Sequence, residues 1–308
     1  MVLAVKQIQC QNISPYLLDG TPLIAEPRAD PLNAPVSMVY GNGIHSGGHL
    51  LLSEADRGKL LAESSDNERF IRPCIGGNEI LNGFKRWVLW LYGSNGEWRK
   101  SAFIQNRVEG CRQYRLSASR VRDFADRPWE FGELRQPESG MILALPKVSS
   151  FRRPYFPIVF AECTTVVNAS ALMAASAEPV HFGVLSSAMH MAWAFVACGR
   201  CQMDLQYGCR NVYNTFPWPN LDNASAVESL AEEIFAVRKR HSEMSLGRMY
   251  SPEAMPADLK DVHAELDREV DRLYTPKRLY GVEDRLRCLF AEYGRLAQKK
   301  ERSIDQWC

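Results

Sequence analysis

Apolar positions along the chain first come in short runs broken by Gly, Pro and Asn, and from about Val180 onward follow helical spacing. Residues 1–60 hold only brief runs (PYLLDG, PLNAP, YGNG, HSGGHLLLS) in turn-rich surroundings. The run FKRWVLWLY, Phe84 to Tyr92, is apolar and aromatic as in a buried strand. Arg112 to Ala125 reads as a helix with Leu116, Ser119, Val121 and Phe124 on roughly one face. Three β-prone pieces follow, MILALPKVSS, YFPIVF and CTTVVNAS, separated by Pro and Asn.

Between Val180 and Gly199 the sequence is almost free of charge, which predicts one buried helix ending on a glycine cap. In it, Met189, Met191, Trp193 and Phe195 serve as scaffold. NVYNTFPWPN then forbids regular structure through Pro217 and Pro219, and is expected to be a hinge locked by packing of Tyr213, Phe216 and Trp218. Asn223–His241 and Pro252–Tyr274 are amphipathic; in the second, Leu259, Val262, Leu266, Val270 and Leu273 recur at three and four. A last helix runs from about Glu283 to Lys300. The expected fold is α+β: a β-rich part at 21–219 followed by a small helical domain at 220–308.

Length agrees with two domains, since 308 residues exceed what one core usually fills. With 46% hydrophobic residues the composition is that of a soluble globular protein. No apolar run approaches the roughly 20 residues of a membrane span, and no basic stretch precedes the short apolar N-terminus, so neither a membrane nor a signal peptide is expected. Nine scattered cysteines, an odd number, fit a reducing, cytoplasmic setting.

Charge adds something the average conceals. The net charge is +1, yet Asn82–Tyr155 holds 14 basic residues against seven acidic ones, leaving the remainder net negative. Such segregation points to a local polyanion-binding surface, or to solvated helix faces with internal ion pairs.

Motifs for chemistry are missing. Cys198-x-x-Cys201 followed by Cys209 is half a zinc knuckle, and His45 and His49 lie in a glycine-rich loop, so no metal is expected. There is no P-loop, no G-x-G-x-x-G, no G-x-S-x-G and no Glu-x-Lys tripeptide; GNGIHSGG is a weak glycine signal. Ser186, Ser187 and His190 lie close together but on the buried helix. The Asn/Asp-Pro-Pro-aromatic tetrapeptide that holds a flipped base is absent, for the chain has no Pro-Pro dipeptide. No catalytic residue is assigned.

Seven ordered strings carry a family resemblance: NISPYLLDG (12–20), YGNGIHSGGHLLLS (40–53), FIRPCIGGNEILNGFKRWVLWL (70–91), FGELRQP (131–137), LPKVSSFRRPYFPI (145–158), HFGVLSSAMHMAWAFVACGR (181–200) and VYNTFPWP (212–219). Together with MPADLKDVHAELDREVDRLY (255–274) they resemble the C-terminal half of MmeI-like type II restriction–modification enzymes, single-chain endonuclease–methyltransferases. The resemblance implies a DNA target recognition domain over 21–219, a C-terminal helical domain over 220–308, and in 1–20 the tail of a methyltransferase domain. It implies double-stranded DNA and a methyltransferase domain or chain as partners. S-adenosylmethionine and magnesium would belong to the catalytic domains, with no cofactor on this chain.

The resemblance also assigns site residues. The main base-reading strand of the family follows the Lys-Val-Ser-Ser motif, here Lys147 to Tyr155, which makes Phe151, Arg153 and Tyr155 the base-readers. Arg153 can donate in bidentate fashion to guanine O6 and N7; Phe151, where the family often has an acidic residue, can only touch a thymine methyl. Backbone contacts fall to Lys85, Arg86, Arg112, Arg115, Arg120, Arg122, Lys147, Ser149, Ser150 and Arg152. The competing expectations are a protein-interaction scaffold in a phage-defence complex and, third, a zinc-dependent enzyme.

Overall fold

A computed structural model describes residues 13–16 and 23–305, so most of the stretch expected to be a methyltransferase tail lies outside the described residues. In chain order the elements are β1 (Met38–Tyr40), β2 (Leu51–Leu52), α1 (Glu54–Glu63), β3 (Ile71–Ile75), α2 (Gly77–Asn82), β4 (Trp87–Leu89) and α3 (Ala102–Ser117). Then come β5 (Met141–Pro146), β6 (Val148–Ser149), β7 (Val159–Glu162), β8 (Val166–Val167), β9 (Ala171–Ala175), α4 (Pro179–Leu185), α5 (Ala188–Ala197), β10 (Gly199–Cys201) and β11 (Asp204–Gln206). Helices α6 (Ser225–Arg240), α7 (Leu246–Met249), α8 (Ala257–Tyr274) and α9 (Gly281–Asp305) complete the chain. The fold is α+β as expected.

The strands form three sheets, ordered β1-β9-β5-β7, β2-β4-β3-β8 and β10-β11-β6. Only the β3–β8 pair is parallel among them. MILALP reads as a continuous apolar run because β5 is central and covered on both faces. Leu143 and Leu145 enter the main core, while Ile142 and Ala144 face a smaller cluster with Ile80, Val167 and Met173.

Two larger cores result. One, built on Leu50, Leu60, Val88, Ile104 and Cys111, belongs to a lobe spanning roughly residues 44–135. The other runs without interruption from Leu32 to Tyr293 and takes in β5, β9, α4, α5 and all the long C-terminal helices. The expected hinge is therefore a buried seam: Tyr213, Phe216 and Trp218 are fully buried in that common core. Asn33 brackets Trp218 with two hydrogen bonds of 2.8 and 2.9 Å, and the Tyr274 hydroxyl donates to the Pro217 carbonyl at 2.7 Å. Proline excludes a ladder here without conferring mobility, because the aromatic rings on either side are packed.

Two expected helices change shape. The one placed at 112–125 starts ten residues earlier, at Ala102, where Ser101 caps it, and ends at Ser117; a separate 3-10 turn covers Ser119–Phe124. The single helix expected over 180–199 is α4 and α5, bent by 56° at Ser186–Ser187, where the Ser187 hydroxyl caps α5. Cys198 ends α5 in extended conformation and Gly199 opens β10, so the expected glycine cap is a strand start. No single helix among the described residues is long and apolar enough to cross a membrane. On α8 the expected stripe holds, with Leu259, Val262, Leu266 and Val270 buried.

Arg115, expected on DNA, is fully buried. Its guanidinium donates to five backbone carbonyls: Ile44 (3.1 Å), His45 (2.9 Å), Phe124 (2.8 Å), Arg127 (2.9 Å) and Glu130 (2.7 Å). All five donors are used, so it pins two stretches of the 44–135 lobe, 44–45 and 124–130, and has nothing left for a phosphate.

His190 is also buried, and burial pushes its pKa down to about 4. Nδ1 meets the Leu185 carbonyl at 2.8 Å and must donate, so Nε2 accepts from the Tyr207 hydroxyl at 2.9 Å. His263 is pushed down to about 3, mainly by burial. Both rings bind a proton more readily once unfolded, so their contribution is full above the ordinary value of 6.5 and is lost as the pH falls toward 4. Asp267, pushed up to about 6 by burial, and Asp271, also raised by burial, act in the opposite sense, while His181, lowered by burial, adds to the two histidines.

Two outcomes are expected. The urea midpoint should fall between about pH 7 and pH 5, and His190→Gln should flatten that fall without abolishing it, since His263 remains; a midpoint that rises over this interval contradicts the assignment. Arg115→Ala should destabilise by about 3–5 kcal/mol in chemical unfolding, and Arg115→Lys should recover little because an ammonium has three donors. A loss below about 1 kcal/mol would remove its structural role.

Candidate nucleic-acid interface

The stretch from Lys147 to Tyr155 leaves the end of a sheet. The Lys147 N–H donates to the Ser170 carbonyl at 3.0 Å and its carbonyl accepts from the Tyr207 N–H at 2.8 Å, which fixes the crossing from β5 to β6. Its ammonium lies 5.4 Å from the centre of the exposed Tyr40 ring. After β6, paired through Ser149 with Leu205 of β11, the chain turns, and the Arg153 N–H donates to the Ser150 carbonyl at 3.2 Å.

The turn presents Phe151, 37% exposed, and Arg152 to solvent and folds Arg153 back to a half-buried position. Arg153 Nε donates to the Gly247 carbonyl and Nη1 to Ser149 Oγ, both at 3.4 Å, the long end of the hydrogen-bond range. No ion pair joins it to a carboxylate among the described residues. Burial works against its charge and the nearby Asp204 works for it; a guanidinium stays protonated in either case. The result is a planar cation with weakly engaged donors.

The C-terminal helices hold this loop at three points. Arg152 pairs with Glu253, Arg153 reaches the Gly247 carbonyl, and the Tyr155 hydroxyl donates to Asp267 Oδ2 at 2.8 Å. Tyr155 stacks on His263 with ring centres 4.0 Å apart, and Asp267 Oδ1 accepts the Ala188 N–H at 2.6 Å. Tyr155 is only 8% exposed with its hydroxyl engaged, so it anchors the loop from below and is removed from the base-readers. Gly247 is required where it stands, since a Cβ there would lie 2.5 Å from the Leu81 carbonyl oxygen. That close approach wedges α7 between α2 and Arg153. It also brings the exposed Phe84 and Lys85, which follow α2, toward the same end, with Gly83 against Ser245.

One further backbone assignment falls, and a second cation is tied through one nitrogen to a structural partner. Ser149 is 2% exposed, with its hydroxyl turned to Arg153. Arg86 Nε donates at 2.7 Å to the buried Glu79, whose carboxylate would otherwise be an unpaired buried charge. Ser150 is half-buried and its Oγ accepts from the Arg152 N–H at 3.4 Å. Arg112, Arg120 and Arg122 are exposed on the 44–135 lobe. No hydrogen bond, ion pair or ring contact among the described residues ties them to the 150–153 turn. Arg112 lines a cleft with Trp98, Arg99 and Trp129, and Arg122 Nε donates to the Leu116 carbonyl at 3.3 Å.

Sequence reasoning missed the β10–β11 hairpin beside the turn, because the apolar run before it read as helix through Gly199. Its turn residues, Gln202–Met203, lack the Asn-Gly or Asp-Gly signature of two-residue turns, so little in the sequence signals it. Cys198 and Cys201 bracket its first strand. No group of three or more His, Cys, Asp or Glu side chains among the described residues is placed to hold a metal ion.

Comparison with known proteins adds the family. The family model described as MmeI, target recognition domain, matches residues 19–220, and that described as MmeI, C-terminal domain, matches residues 220–300. DNA methyltransferase A of Bacillus subtilis (strain 168) is 30% identical over 293 residues, covering 94% of this chain and 33% of that protein. The solved structure of the Type IIL restriction-modification enzyme MmeI in complex with DNA superimposes with a TM-score of 0.87 at 33% identity, over 94% of this chain and 39% of that one. The chain thus spans between a third and two fifths of the relatives it matches. With both models matched end to end across the fold just described, the chain belongs to the MmeI family and carries its target recognition and C-terminal domains.

Proposed function

We propose that this chain is the sequence-specific DNA recognition module of a restriction–modification adenine methyltransferase, and that methyl transfer and cleavage are carried out by a separate domain or chain. The observation that carries this reading is Arg153: a charged fork, lightly held, at the end of a sheet, two residues past the exposed Phe151. A major groove offers such a fork the O6 and N7 acceptors of guanine, and offers Phe151 a thymine methyl. Lys85, Arg112, Arg120, Arg122, Lys147 and Arg152 supply sequence-blind attraction to phosphates, which fixes register and sets the salt dependence. The MmeI structure, solved in complex with DNA, supports the same use of this fold.

S-adenosylmethionine and magnesium belong, on this reading, to the catalytic parts. The glycine-rich loop and Pro-Pro tetrapeptide of such methyltransferases have no counterpart in the sequence, and the described side chains offer no metal-ligand cluster. The seven described cysteines are all free, which suits a reducing, cytoplasmic setting.

Fluorescence anisotropy with duplex DNA tests the reading. Binding should weaken steeply with salt, and Arg153→Ala should cost about 1–3 kcal/mol against the favoured base pair while leaving mismatched duplexes unaffected. Arg112→Ala or Arg120→Ala should instead weaken all duplexes alike and flatten the salt slope. Undetectable binding at low salt, with a methyltransferase chain still co-purifying, would favour an interaction scaffold instead.

A further inference from the structure

β6 and β11 are antiparallel, with Val148 opposite Gln206 and Ser149 opposite Leu205. One step beyond this pair lie Ser150 and Asp204, and the next step reaches Phe151 and Met203. The turn that carries Arg153 and the tip of the β10–β11 hairpin therefore leave the sheet at the same end. The influence of Asp204 on Arg153 is the electrostatic trace of that proximity.

The tip is a two-residue turn, Gln202–Met203, between the paired Cys201 and Asp204. Gln202 takes a left-handed conformation with φ of 56°. Met203 is 66% exposed, and all three residues of β10 are exposed, so β10 is an uncovered edge. Arg200 lies with its guanidinium 4.8 Å from the centre of the exposed Phe195 ring and has no carboxylate partner among the described residues. Phe151 and Met203 are thus exposed at the same end of the sheet, and Phe195 is exposed beside Arg200.

We propose that the β10–β11 hairpin is a second groove-entering element, in which Gln202 and Met203 read an A·T pair next to the one read by Arg153. This rests on the DNA-recognition reading above and extends it to residues outside the Lys147–Tyr155 stretch. A two-stranded ribbon is narrow enough for the major groove of B-DNA, where few elements other than a helix fit. The Gln202 amide carries both a donor and an acceptor and so matches adenine N6 and N7, while the apolar Met203 tip suits the thymine methyl across the same pair. Arg200, set one strand back from the turn, is placed for a phosphate. Continuity with the Arg153 turn and the absence of a paired carboxylate on Arg200 favour DNA as the occupant over a protein partner.

The test is selection of bound duplexes from a randomised pool by the whole chain and by Gln202→Gly, Met203→Ala and the double variant. Gln202→Gly keeps a residue that tolerates the left-handed turn, and both positions are exposed, so thermal melting should not move. Wild type should enrich an A·T pair beside the position whose preference Arg153→Ala abolishes. The double variant should lose that A·T preference, about ten-fold, while keeping the Arg153-dependent position and the salt slope. Unchanged enrichment in the double variant overturns the hairpin role and leaves the Arg153 reading standing. If wild type enriches no sequence at all, both readings fail together.

Discussion

The apolar core that runs from Leu32 to Tyr293 sets the terms for the Ser150–Tyr155 turn at the surface. It passes straight through residue 220, where the two family models meet. Helix α9 reaches it through Phe290 and Tyr293, which pack on Trp193 of α5 with ring centres 5.1 and 5.7 Å apart. The seam from Val212 to Trp218 is buried between the two parts, so they are separable in sequence comparison but not in packing. Burying a large aromatic ring contributes on the order of 2–3 kcal/mol, and cutting this core would expose several at once.

That packing matters for recognition because the C-terminal helices supply the partners of the Ser150–Tyr155 turn. Glu253, Gly247 and Asp267 all lie beyond residue 220, and each holds a different residue of the turn. A base-reader acts at hydrogen-bond range, where displacement by an ångström forfeits the contact, so a loop tied at three points loses less entropy on binding than a free one. On the proposed reading, the helical domain is then part of the reading head. The exposed cations of the 44–135 lobe sit on a separate core, and phosphate attraction of the kind proposed for them acts at longer range and needs no such precision.

Much of this was legible in the sequence. The α8 stripe, the buried β5 run and the aromatic seam follow from periodicity and composition, and the MmeI family membership followed from resemblance. What was missed has identifiable causes. Arg115 shares the helical register of the buried Ile104, Val108 and Cys111, which marks it as interior, but that register is visible only when α3 starts at Ala102. Tyr155 and Ser149 share the parity of the exposed Phe151, so alternation would place all three on one face; the turn at Ser150–Arg153 breaks that alternation, and spacing alone could not show which of them point inward. The break between α4 and α5 was signalled by Ser186–Ser187, a natural cap, inside an apolar run that otherwise masks it. The aromatic lock expected of Tyr213, Phe216 and Trp218 is present, and it makes the segment a packed seam, because proline reports on backbone geometry whereas rigidity here comes from packed rings.

The most direct measurement is the unfolding of a chain ended at residue 219, compared with the whole chain. A shared core predicts that the shortened chain lacks a cooperative transition, exposes apolar surface to dye, and discriminates no duplex. A fragment that unfolds cooperatively and selects the same sequence as the whole chain would show that the reading turn stands without its C-terminal ties, and the account would be wrong.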